Sequence, residues 1–183
     1  MRVICYGDSN TWGYDPRSYF GDRYPADCCW VDILEQKTGW TVKNEGVNGR
    51  EIPVRAVNIS EETDLMIIML GTNDLLQGSS AELAGKKMEV FLKNTLHKCG
   101  CLILIAPPFL KRGEWVSDQT VIRESLLLGK IYRDLAERLG VVFLDASNWN
   151  VPIAYDGVHF TEDGHRLFAE EILYYLRKTD VNY

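Results

Sequence analysis

Short apolar runs, most of them closed by glycine, proline, asparagine or aspartate, alternate along the chain with longer stretches in which apolar residues recur every three or four positions. The runs predict strands near Val3–Tyr6, Thr41–Asn44, Leu65–Leu70, Leu102–Ala106 and Val141–Leu144. The periodic stretches predict helices over Ala26–Lys37 (Trp30, Ile33 and Leu34 on one face) and Ala81–Lys98 (Ala84, Met88, Phe91 and Thr95). Two more follow, at about Asp118–Leu139 (Leu128, Ile131, Leu135, Leu139) and Glu162–Lys178 (Phe168, Ile172, Leu176). Strands apolar on both faces, alternating with amphipathic helices, predict an α/β fold: a parallel sheet covered on both sides, a three-layer α/β/α sandwich. No composition break, linker or repeat divides residues 1–183, so one domain is expected.

Sheets of this kind bind ligands beyond the carboxyl ends of their strands, where the strand order reverses. The residues after each strand are therefore the ones to read for chemistry. After the first stands Gly7-Asp8-Ser9-Asn10; after the second, Asn44-Glu45-Gly46-Val47-Asn48-Gly49; after the third, Gly71-Thr72-Asn73-Asp74; after the fourth, Pro107-Pro108. The fifth is followed by a Trp149–Tyr155 loop and Asp156-Gly157-Val158-His159.

A serine hydroxyl must lose its proton as it attacks, which calls for an imidazole base and a carboxylate to orient it. Ser9 falls at a strand-to-helix turn, where the bend exposes its hydroxyl at the helix's positive end. Asp156 and His159 are three apart in a turn containing Gly157, a spacing that lets the carboxylate reach Nδ1 and leaves Nε2 facing Ser9. A tetrahedral intermediate also needs donors for its oxyanion. The backbone N–H groups of Ser9 and Gly49 and the side-chain amide of Asn73 are available at the same edge.

Together, Gly7-Asp8-Ser9, Gly49, Gly71-Thr72-Asn73-Asp74 and Asp156-x-x-His159 resemble the four blocks of the SGNH, or GDSL-type, esterases and lipases, in the family's order from residue 5 to residue 165. Thr11-Trp12-Gly13-Tyr14-Asp15-Pro16 resembles the bacterial arylesterase and acyltransferase-like branch. The resemblance implies a flavodoxin-like five-stranded sheet in the order 2-1-3-4-5. It also implies Ser9 as nucleophile, His159 as general acid and base, Asp156 as its orienting partner, and Gly49 and Asn73 as oxyanion donors with the Ser9 N–H. Asn10 departs from the common pattern, which has leucine there, and leaves the four roles untouched. Gly46 is a rival for the second block; spacing from the strand favours Gly49.

Other polar residues have plainer explanations. Thr161-Glu162-Asp163-Gly164 reads as a capped helix start, so His165 belongs to the last helix although Asp163-x-His165 imitates a dyad. His97 falls at a helix end, Asp8 supports its turn, and Asp74 is a hydrogen-bond partner behind the site. Of the aromatics on the active edge, Trp12 and Phe109 are the expected pocket walls.

Composition narrows the function class. Twenty Lys and Arg against 26 Asp and Glu give a net charge of −6, with no basic run, so nucleic acid and anionic membranes are not expected partners. No apolar run approaches the ~20 residues that span a bilayer, and Met1-Arg2-Val3-Ile4 leads directly into a core strand, so a cytoplasmic location is expected. Five cysteines, two of them adjacent, fit reduced thiols better than a disulfide framework, and Cys99-x-Cys101 has no second pair to make a metal site. The expected protein is a serine esterase without metal or cofactor, acting on a small, short-chain acyl ester. Acyl transfer, carbohydrate deacetylation and thioester hydrolysis at the same site are alternatives, as is a silent binding module on the same fold.

Overall fold

The computed structural model describes residues 1–55, 57–59 and 62–178. Five strands, β1 (Arg2–Gly7), β2 (Thr41–Gly46), β3 (Leu65–Met69), β4 (Cys101–Ala106) and β5 (Val142–Asp145), form one parallel sheet in the order β2-β1-β3-β4-β5. Every residue of β3 is buried, as expected of a central strand roofed on both faces. Because side chains alternate along a strand, Val3, Cys5, Ile67 and Met69 face one core with Trp30, Leu34, Phe168 and Ile172. Met66, Ile68 and Leu70 face the other with Met88, Phe91, Leu128 and Tyr132. The helices that supply these layers are α2 (Trp30–Thr38) and α6 (Glu162–Lys178) on the first face, α4 (Ala81–Lys93) and α5 (Gln119–Leu139) on the second.

Two one-turn helices, α1 (Ser9–Trp12) and α3 (Thr72–Leu76), follow β1 and β3 directly. The strand order reverses between those two strands. Gly7 pairs with Met69 on one side and Gly46 on the other, so the ends of β1, β2 and β3 meet at the reversal point.

Helix boundaries follow their caps. The last helix has its expected bounds, with Thr161 Oγ1 accepting from the Gly164 N–H at 3.0 Å. Asp118 accepts from the Thr120 N–H and so starts α5 one residue later than predicted. The helix α2 starts at Trp30 rather than Ala26, because Cys28 closes a turn onto the Pro25 carbonyl and Cys29 caps without a side-chain bond. The helix α4 stops at Lys93, and the expected continuation to Lys98 is a 3-10 turn over Leu96–Lys98. Among the described residues, no helix is long and apolar enough to cross a membrane.

Candidate active site

The Ser9 turn is built by its neighbours. Asp8, buried at the N-cap of α1, accepts from the Asn10 N–H at 3.0 Å, and Gly13 ends the helix in the left-handed region. A single turn aligns few peptide dipoles, so the positive helix end expected from the sequence is a weak contribution here. What the turn does supply is direction: the Ser9 hydroxyl faces the loop after β5. There an antiparallel bridge between Ile153 and Phe160 and a bond from the Ala154 N–H to the His159 carbonyl (2.7 Å) fold residues 153–160 back on themselves.

Within that loop Asp156 Oδ1 accepts from the N–H groups of Val158 (2.9 Å) and His159 (3.0 Å), which aims Oδ2 at His159 Nδ1, 2.6 Å away. A carboxylate only accepts, so Nδ1 carries the proton and Nε2 offers its lone pair to the Ser9 hydroxyl at 3.0 Å. Ser9, Asp156 and His159 are all buried. Burial on its own would raise the Asp156 carboxyl, but the His159 bonds and the Val158 N–H outweigh it and hold the group below the ordinary carboxylate range.

The loop after β4 is stapled to the same segment by three backbone bonds: Lys111 to the Gly157 carbonyl (3.0 Å), Glu114 to Tyr155 (3.1 Å) and Trp115 to Asp156 (3.0 Å). These place the Trp115 ring edge-on to the His159 imidazole at 5.0 Å, while Tyr14 lies 4.4 Å from it. The rings brought to His159 are thus Tyr14 and Trp115. Phe109, expected at the pocket, lines a small separate cavity with Pro108, Lys111, Asn150 and Ile153. Trp12 is fixed by its main chain, its carbonyl accepting from Arg23 Nε (2.9 Å) and its backbone lying against Gly46.

Gly49 follows β2, and Asn73 lies in α3 after β3. A Cβ on Gly46 would fall 2.1 Å from the Trp12 nitrogen, so that glycine is required by the closeness of α1. Gly49 has open space around it, and its φ of +74° is what demands glycine. Its N–H and that of Ser9 donate to no protein acceptor among the described residues. Asn73 Nδ2 donates one hydrogen to the Arg50 carbonyl at 3.1 Å, and its other hydrogen meets no acceptor among the described residues. Behind it the fully buried Asp74 accepts from the Ile52 N–H (2.9 Å) and from Lys87 (2.7 Å), which also pairs with Glu51 (3.0 Å). The Arg50 guanidinium lies 4.1 Å from the Tyr6 ring centre and donates to the carbonyls of Gly7 and Glu45. The Gly49 loop is therefore pinned by α3, α4 and the strand ends.

His165 lies inside α6, fully buried, and His97 is exposed on the 3-10 turn. Asn10, which carried no role in the sequence reading, is 4% exposed and reaches the His159 loop with both ends of its amide. Its partners are 148 and 150 residues away, and no local pattern announces them. No group of three or more His, Cys, Asp or Glu that could hold a metal ion occurs among the described residues.

The family model for GDSL-like lipases and acylhydrolases matches residues 5–167. The chain belongs to that family. Among solved structures, the GDSL-like chain is similar to one from Agrobacterium tumefaciens described as a candidate arylesterase (28% identity, 96% of this chain and 98% of that one, TM-score 0.79). It is also similar to the M. smegmatis aryl esterase (25% identity, 96% and 98%, TM-score 0.81). A carbohydrate acetylesterase family member from Sinorhizobium meliloti, at 24% identity with a TM-score of 0.81 over 96% of this chain and 97% of that one, shares the fold. No curated protein matches the sequence. The GDSL-like assignment and the sheet order agree with the resemblance carried by Gly7-Asp8-Ser9, Gly49, Gly71–Asp74 and Asp156-x-x-His159.

Proposed function

We propose that this GDSL-like hydrolase is a serine esterase that cleaves small, short-chain acyl esters through an acyl-enzyme on Ser9, without metal or cofactor. The observation that carries the reading is the buried chain of hydrogen bonds from Ser9 Oγ through His159 to Asp156. Membership of the family and the likeness to aryl esterases at 25 to 28% identity support ester chemistry.

In this reading Ser9 Oγ attacks the ester carbonyl as its proton passes to His159 Nε2, and Asp156 stabilises the imidazolium that forms. The carbonyl oxygen, now an anion, is met by the Ser9 and Gly49 N–H groups and by the other amide hydrogen of Asn73. Collapse expels the alcohol, which takes the proton from His159. Water then attacks the acyl-enzyme, gives its proton to His159, and the acid leaves as that proton returns to Ser9. Tyr14 and Trp115 flank the base, beside Trp12 and Phe109 as the pocket walls read from the sequence.

A serine-reactive phosphonate is expected to label Ser9, and Ser9→Ala to lose at least about three orders of magnitude in turnover of p-nitrophenyl acetate. Retention of ester hydrolysis by Ser9→Ala would overturn the mechanism. A series of p-nitrophenyl esters from acetate to palmitate, with acetylated sugars beside it, tests the substrate class; preference for long chains counts against the small-acyl reading.

A further inference from the structure

Position 10 is where this chain departs from the leucine of the common GDSL pattern, and the structure gives the difference a purpose. Asn10 Oδ1 accepts from the Phe160 N–H at 2.9 Å, and its Nδ2 donates to the Val158 carbonyl at 3.1 Å. These are the peptide groups on either side of His159. All three residues are nearly or fully buried: Asn10 at 4% exposure, Val158 at 5%, Phe160 at 0%. Among the described residues, the only other hydrogen bond between α1 and residues 153–160 is Ser9 to His159 itself. Asn10 is anchored in turn, its carbonyl accepting from Trp30 Nε1 at 3.0 Å.

We infer that Asn10 is a positioning residue: a neutral amide clip that fixes the loop carrying His159 against the turn carrying Ser9, and so sets the distance across which the proton moves. The inference rests on the serine esterase reading. An amide is the side chain that supplies one donor and one acceptor without charge. Leucine would leave the Val158 carbonyl and the Phe160 N–H buried without partners, and aspartate would face a carbonyl with a carboxylate. The His159 main chain is held within its own turn by Ala154 and Asp156, so without the clip that turn can shift as a body relative to Ser9. Proton transfer and attack depend steeply on such a separation.

The test compares Asn10→Leu and Asn10→Thr with the wild type on p-nitrophenyl acetate, beside thermal melts and the low-field proton resonance of the His159 Nδ1–H. Restoring the leucine of the family pattern is expected to lower kcat by about 30-fold or more while KM moves less than about threefold, because the loss is in alignment rather than binding. Threonine replaces the two-ended amide by a single, shorter hydroxyl, and its kcat should fall between the two. Exchange of the Nδ1 proton with water is expected to quicken in the same order. A folded Asn10→Leu protein with kcat within twofold of wild type and unchanged proton exchange overturns the inference, even if its melting temperature has dropped. Should Asn10→Leu not fold, Asn10→Thr decides by the same two readouts. If the wild type hydrolyses no ester, the esterase reading fails by itself, and the exchange rates still decide whether Asn10 holds the His159 loop.

Discussion

His159 and His165 stand six positions apart, both buried, each among aromatic rings: Tyr14 and Trp115 for the first, Tyr24 and Phe160 for the second. Their nitrogens are treated differently. His159 has the Asp156 carboxylate at 2.6 Å on Nδ1 and the Ser9 hydroxyl at 3.0 Å on Nε2. At His165 the Trp30 N–H reaches Nδ1 at 3.5 Å, and Nε2 has no partner among the described residues. Burial, with smaller contributions from Arg23 and His159, pushes His165 down to about 3, so it stays neutral. An apolar enclosure without an acidic partner thus keeps His165 neutral, whereas His159 is enclosed with a carboxylate on one nitrogen and a hydroxyl on the other. The largest test of this contrast exchanges the losses. His159→Ala or Asp156→Asn is expected to reduce kcat on p-nitrophenyl acetate by about three orders of magnitude, while His165→Phe leaves it within about threefold. A His165 variant that folds as well as the wild type yet loses as much activity as His159→Ala would erase the distinction.

The sequence carried one half of this contrast better than the other. Thr161 and the acidic first turn marked the start of α6 correctly, and that alone placed His165 inside a helix. The strand ends were legible because β3 and β4 are apolar on both faces, and Gly7–Asn10, Gly71–Asp74 and Asp156–His159 follow from where such strands stop. The surroundings of His159 were not legible. Trp115 reaches it through a backbone bond to the Asp156 carbonyl, and Asn10 through bonds spanning about 150 residues; neither contact leaves a periodic or local trace. Phe109 and Trp115 both follow β4, and the bond from the Trp115 N–H to the Asp156 carbonyl is what brings the second of them to the imidazole.

Acid sensitivity sharpens the comparison next. Between the ordinary histidine value and about 3, the unfolded chain binds a proton at His165 that the folded protein refuses. Stability from this residue is therefore complete above about pH 6.5 and lost as pH falls, at up to about 1.4 kcal/mol per unit. Urea melts at pH 7, 5.5 and 4.5 should show a shallower acid loss for His165→Phe than for the wild type. Parallel curves would mean that His165 takes up a proton in the fold.

Asp8 should produce the smallest effect, and of opposite sign. Burial raises its carboxyl to about 6, against lowering by the Asn10 N–H, by His159 and by Arg50. Between its ordinary value of 3.8 and about 6 the folded protein holds a proton that the unfolded chain has released, so stability is lost as pH rises through that window and stays lower above it. Asp8→Asn keeps an acceptor for the Asn10 N–H and removes the buried charge. It should gain about 1 to 2 kcal/mol over wild type at pH 8 and little at pH 4, less than the full linkage because the charge also faces His159 and Arg50. In the wild type the two residues oppose each other between pH 4 and 6, and the double variant should be flatter there than either single one. If Asp8→Asn instead destabilises the protein equally at both pH values, the carboxylate is needed for its shape in the turn, and the buried charge is not what limits stability there.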